Sequence, residues 1–154
     1  MCCRVLSIAA AAALAAACSP PLDWREVRPA GSPASALFPC KPAGHARRLA
    51  LAGATVEMNL FACSAGQATY GLGFADTKDP ARVTAALEAL ARSAQDNVGA
   101  HAAGAASSSP WVGPGMTPNP NAVRLRFAGR LRDGRPVDEQ LAVFAFGTVV
   151  IQAT

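Results

Sequence analysis

Apolar residues recur at every second position on both sides of Gly53, and a chain with that pattern can bury them only as paired antiparallel strands. From Ala46 to Ala62 the alternation turns at Gly53-Ala54, where glycine in the first central position suits a type II′ turn. That register sets Leu51 opposite Val56 and Leu49 opposite Met58. Ala50 then faces Glu57 and Arg48 faces Asn59 on the other side. After the break at Ser64-Ala65-Gly66, the series Ala68, Tyr70, Leu72 and Phe74 predicts a third strand.

A second hairpin is expected from Ala122 to Phe146, and hydrophobic pattern decides its turn. A two-residue Asp133-Gly134 turn would set Arg126 opposite Leu141. A three-residue loop, Arg132-Asp133-Gly134 with Gly134 left-handed, instead pairs Leu125 with Leu141 and Val123 with Val143. The second keeps the apolar set on one face and is preferred. Thr148 to Thr154 reads as a last strand after Gly147, and Leu22 to Val27 as a short first one whose Trp24 is expected to fill the core.

Between these β regions, Asp79-Pro80 predicts a helix start, with Asp79 as N-cap and Pro80 at the first helical position. Val83, Leu87, Leu90, Ala94 and Val98 form one apolar stripe for packing on a sheet. The segment from Gly99 to Asn121 is rich in Ala, Gly, Ser, Pro and Asn. It predicts a long flexible loop near residues 104–121, with Trp111 and Met116 as its large apolar residues. The expected fold class is α+β, a mainly antiparallel twisted sheet packed against one main helix, after an N-terminal signal helix.

That signal is read from the first residues. Arg4 supplies a positive charge, Val5 to Ala17 is apolar, and small residues lead directly to Cys18. Leu14-Ala15-Ala16-Ala17-Cys18 resembles the lipobox of bacterial lipoproteins, although that pattern prefers Leu where Ala15 stands. The resemblance implies cleavage before Cys18, its acylation, and, from Ser19, sorting to the outer membrane. Residues 1–17 would be the signal peptide, 18–21 the lipidated cysteine and short tether, and 22–154 a single domain. Ala15 and Ala17 also satisfy an ordinary cleavage site, so a soluble periplasmic protein is the rival expectation. An uncleaved span is disfavoured because crossing a bilayer takes about 20 apolar residues.

Cysteine use follows from the same cut. Cys2 and Cys3 leave with the signal and Cys18 takes the lipid, so Cys40 and Cys63 remain and, in an oxidising compartment, are expected to form one disulfide. Two separate buried thiols are the alternative, and the wide spacing speaks against a redox pair.

The sequence carries little sign of catalysis. His45 and His101 have no metal-type spacing, and Cys40-x4-His45 is not a zinc signature. Gly71-Leu72-Gly73 lacks the rest of a dinucleotide fingerprint and reads as relief of strand packing. Asp76 and Asp79 flank a turn and suit capping. No catalytic residue, cofactor or metal is expected. Of 14 basic residues Arg4 departs with the signal, leaving 13 against 10 acidic ones and a net charge of +3, too weak to argue nucleic-acid binding.

One patch merits a binding hypothesis. Arg124, Arg126 and Arg130 share a strand face in the chosen register, with Arg132 and Arg135 at its tip and Ala142, Phe144 and Phe146 further along. Trp111 and Met116 complete the candidate binding residues. The element order from Leu37-Phe38-Pro39 through the first hairpin and aromatic strand to the helix also resembles PsbP/Mog1-like domains, whose usual closing helix has no counterpart here. The expected function is that of a non-enzymatic cell-envelope lipoprotein, held to the membrane by its lipid and binding an envelope protein or an anionic envelope surface. A periplasmic small-ligand binder is the alternative, and an envelope hydrolase ranks third.

Overall fold

In chain order the elements are β1 (Arg25–Val27), β2 (Ala36–Phe38), β3 (Ala43–Leu51), β4 (Ala54–Ala65), β5 (Ala68–Asp76), a 3-10 turn (Pro80–Arg82), α1 (Val83–Asn97), β6 (Ser107–Pro110), β7 (Val123–Arg130), β8 (Pro136–Phe146) and β9 (Val149–Ala153). This computed structural model describes residues 22–100 and 107–154. The expected signal helix, Cys18 with its tether, His101 and the first part of the 104–121 loop lie outside the described residues.

Seven strands form one sheet in the order β3-β4-β5-β9-β8-β7-β6, with every neighbouring pair antiparallel. The last strand therefore sits in the middle. Its Val149-Val150-Ile151 run is apolar without alternation, as suits a strand covered on both faces. Val150 faces the helix-side core and Ile151 the other, and neither is exposed.

The helix-side core gathers Leu51, Val56, Phe127, Leu141, Val143 and Val150 beneath α1. Asp79 accepts a hydrogen bond from the Ala81 N–H at 2.9 Å and Pro80 opens the 3-10 turn, so the helix begins where capping chemistry places it. Val83, Ala86, Leu87, Leu90 and Ala94 are its buried stripe. On the opposite face, Phe38, Leu72, Phe74 and Ile151 form a second core. The separate β1–β2 pair covers it, with Phe38 almost wholly buried.

A disulfide joins Cys40 to Cys63 across 23 residues of chain, with Cα atoms 6.0 Å apart. It ties the segment after β2 to β4 and so holds the β1–β2 cover on the sheet. Closing a loop of that length stabilises by about 3 kcal/mol in the chain-entropy account.

The second hairpin has the expected register, Leu125 opposite Leu141 and Val123 opposite Val143, with Gly134 at φ 83°. The first differs from expectation. Its central residues are Ala52 and Gly53, both at positive φ (49° and 76°), and Leu49 pairs with Val56 while Leu51 pairs with Ala54. Two successive positive φ values make a type I′ turn, whose twist matches that of the strands. The pairing moves by two residues, an even number, so the same side chains still face the core.

Two other expectations are corrected. Trp24 does not fill the core: it precedes β1, is 52% exposed and meets Tyr70 edge-on at 5.8 Å. The described part of the 104–121 loop is also more ordered than its composition suggests. Ser107–Pro110 is the edge strand β6, and the following residues are pinned by Trp111 N–H to Ala122 O and Thr117 N–H to Ala145 O. Asn119 and Asn121 then donate to Thr84 at the start of α1. Backbone pairing and side-chain amides supply the order that a missing hydrophobic pattern could not signal.

At the far end of α1, β7 passes close beneath Val98. The Arg130 N–H donates to Val98 O at 2.7 Å, and a Cβ added to Gly129 would stand 2.7 Å from Val98 Cγ2 with the same carbonyl in its way. The substitution Gly129→Ala is expected to cost about 1 to 3 kcal/mol through overpacking. A lower urea midpoint at unchanged slope checks it.

Candidate functional site

The outer face of β7 is a run of exposed cations, because its even positions point away from α1. Arg124, Arg126 and Arg130 all lie there, opposite Ala142, Gln140 and Pro136 respectively. On the other side β6 sets Ser109 against Arg124 and Ser107 against Arg126. Directly paired residues share a face. Two rows result: Ser107, Arg126 and Gln140, then Ser109, Arg124 and Ala142. The strand rise spaces the two guanidinium-bearing positions about 7 Å apart along the strand.

Aromatic packing fixes one end of this strip. The Arg124 guanidinium carbon lies 4.3 Å from the centroid of the Trp111 ring, within cation–π range. Trp111 in turn packs on Phe144 at 6.2 Å, and Phe144 meets Phe146 edge-on at 6.0 Å. Met116 joins from the loop, its sulfur accepting from the Gly113 N–H at 2.9 Å. Trp111 and Arg124 thus come together although 13 positions apart in the chain, while Met116 folds back on Gly113 within the loop.

Arg126 has no hydrogen-bond or ion-pair partner among the described residues. Arg130 stands about 20 Å along the strand from Arg124 and donates to the Gly134 carbonyl at 2.9 Å, so it belongs to the hairpin tip. At that tip Arg135 donates to Asp133 at 2.8 Å, holding the Asp133 carboxyl below its usual range through hydrogen bonds from the arginine. The strip's one carboxylate, Asp138, lies opposite Ala128 between the two arginine groups. No family model, curated protein or solved structure matches this chain.

The remaining polar clusters have structural employment. Asp76 is pulled down to about 2 by hydrogen bonds from Lys78 and Thr148, and its Oδ1 receives the Thr148 hydroxyl at 2.6 Å where β5 ends and β9 begins. Among the described residues no group of three or more His, Cys, Asp or Glu side chains could hold a metal ion. The sequence reading missed Ser107 and Ser109, since a serine run has no apolar alternation to betray a strand. It named the arginines and Phe144 correctly for one face because the hairpin register was legible.

Glu139 is the half-buried exception on the helix side, directly opposite Phe127. Burial raises its carboxyl above the usual value. A raised native value means the group's unfavourable contribution is absent below the unfolded value, grows as pH rises from it to the folded one and is complete above that. Glu139→Gln is therefore expected to raise the melting temperature at pH 7 and to leave it unchanged near pH 3, as thermal scans across that range will show.

For the strip itself, Trp111→Ala and Arg124→Ala should prove coupled. A double-mutant cycle in urea is expected to give about 0.5 to 1 kcal/mol of interaction, the range of exposed cation–π pairs.

Proposed function

We propose that this protein is a non-enzymatic bacterial cell-envelope lipoprotein, acylated at Cys18, that binds an anionic envelope surface through the Ser107, Ser109, Arg124 and Arg126 rows. The alternation of hydroxyl and guanidinium donors on one exposed face carries the reading. Arg126 has no partner among the described residues, and guanidinium forks recognise phosphate oxygens bidentately while neighbouring hydroxyls add further donors.

The position of the chain's first described residues supports the same reading. The β1–β2 cover lies on the face opposite α1, which is also the face of the arginine rows. Three residues, Ser19, Pro20 and Pro21, link Cys18 to Leu22, a reach of at most about 14 Å over the four Cα-to-Cα steps. An anchor at Cys18 thus holds this face near the membrane; Ser19 favours the outer membrane, and an unacylated periplasmic form is the competing outcome.

Intact mass of the protein purified from envelopes reads the acylation directly: a mature chain beginning at Cys18 and carrying acyl groups is expected, and an unmodified mass overturns the anchor. Binding is tested with the Cys18→Ser chain, free of its own lipid. It should sediment with vesicles containing phosphatidylglycerol, less so at 300 mM salt than at 50 mM, and Arg124→Gln/Arg126→Gln should remove most of that binding. Equal sedimentation with phosphatidylcholine vesicles would rule the anionic surface out.

A further inference from the structure

A cleft of about 170 Å³ opens between α1 and the first strands of the sheet, on the face away from the arginine rows. Leu49, Met58, Leu60 and Leu90 make an apolar floor. Arg47 from β3, Ser93 and Asn97 from α1 and Gln152 from β9 stand around it, and Arg47 is its one ionisable lining residue among those described. None of these four polar side chains has a hydrogen-bond or ion-pair partner among the described residues. The larger depression, about 280 Å³ between α1 and β7, differs in that its Glu88 and Arg92 are paired with each other.

A glycine keeps the cleft deep. In register, Leu60, Gly73 and Gln152 lie side by side across β4, β5 and β9. A Cβ at Gly73 would press on Leu60 Cδ2 at 3.0 Å and touch Met58 Sδ at 3.5 Å, so a side chain there would stand in the floor of the cleft.

From this arrangement we infer that the cleft is a binding site for a small monocarboxylate with a short apolar tail. Arg47 receives the carboxylate, the amides and hydroxyl of Asn97, Gln152 and Ser93 supply further donors, and the leucine floor takes the tail. The volume is below the roughly 300 Å³ at which drug-sized pockets begin, which limits the ligand to a chain of about six carbons. The site is independent of the anchor and of the arginine rows.

The test is titration of hexanoate into the Cys18→Ser chain, followed by two-dimensional amide NMR, with hexylamine and hexanol as comparisons. Hexanoate should give saturable shifts at Leu49, Leu60 and Asn97 with a dissociation constant below about 1 mM. Arg47→Gln, at an exposed position, should weaken binding at least about tenfold while leaving the spectrum that of a folded protein. Absence of saturable shifts, equal affinity in Arg47→Gln, or hexylamine binding as tightly as hexanoate would each overturn the inference.

Discussion

The pairing of β5 with β9 is the interaction on which the rest of the molecule depends. β3, β4 and β5 form one antiparallel meander and β6 to β9 another, and only the row from Leu72–Ala153 to Asp76–Val149 makes them a single sheet. A strand so placed loses solvent on both faces and both edges. That explains why its Val149-Val150-Ile151 run is apolar without alternation and why its ends are fastened twice: Thr77 N–H to Thr148 O at 3.0 Å at one end, Gly71 and Thr154 exchanging backbone hydrogen bonds at the other. Each buried backbone group must find a partner, and here the two meanders supply them to each other.

Closing the sheet in this way creates two unlike faces. On one, α1 presses close enough that small residues are required beneath it, with Ala75 and Ala145 fully buried and Gly129 under Val98. On the other, aromatic and branched side chains stand out from β4, β5, β8 and β9 and are covered by the short β1–β2 pair and by the Trp111 segment. Neither cover is an extensive structure by itself. The disulfide fastens the first, and hydrogen bonds to Ala122, Ala145 and Thr84 fasten the second. Cross-links and polar ties thus do on this face what a second helix would otherwise do by burial.

Much of this was legible locally. The alternation around Leu125 and Leu141 decided a register because the two candidate turns differ by one residue, which inverts the faces. Around Gly53 the competing turns differ by an even step, so hydrophobic pattern could not separate them, and backbone twist decided instead. Trp24 was misplaced because aromatic character is compatible equally with burial and with an edge contact such as that to Tyr70. β6 left no trace in hydrophobicity, since an exposed edge strand of serines is held by backbone pairing alone. The position of β9 was illegible for a different reason: strand order within a sheet is a property of long-range contacts, and an unbroken apolar run says that a strand is central without saying between which neighbours.

The proposed anchor and the arginine rows gain their effect from being combined. A basic side chain close to an anionic membrane contributes about 1 kcal/mol, so Arg124 and Arg126 together hold a free protein at such a surface only weakly, in low salt and excess lipid. Their field also fades within about 8 Å at physiological ionic strength. The proposed tether would confine the domain within about 14 Å of its anchor, less than two such lengths, and confinement converts a weak bimolecular attraction into an intramolecular one with a high effective concentration. In the anchored form a weak affinity of the rows is enough. Their proposed part is to orient the domain, and the stacking of Arg124 on Trp111 would serve that purpose better than a freely rotating side chain, because less conformational entropy would be lost on contact.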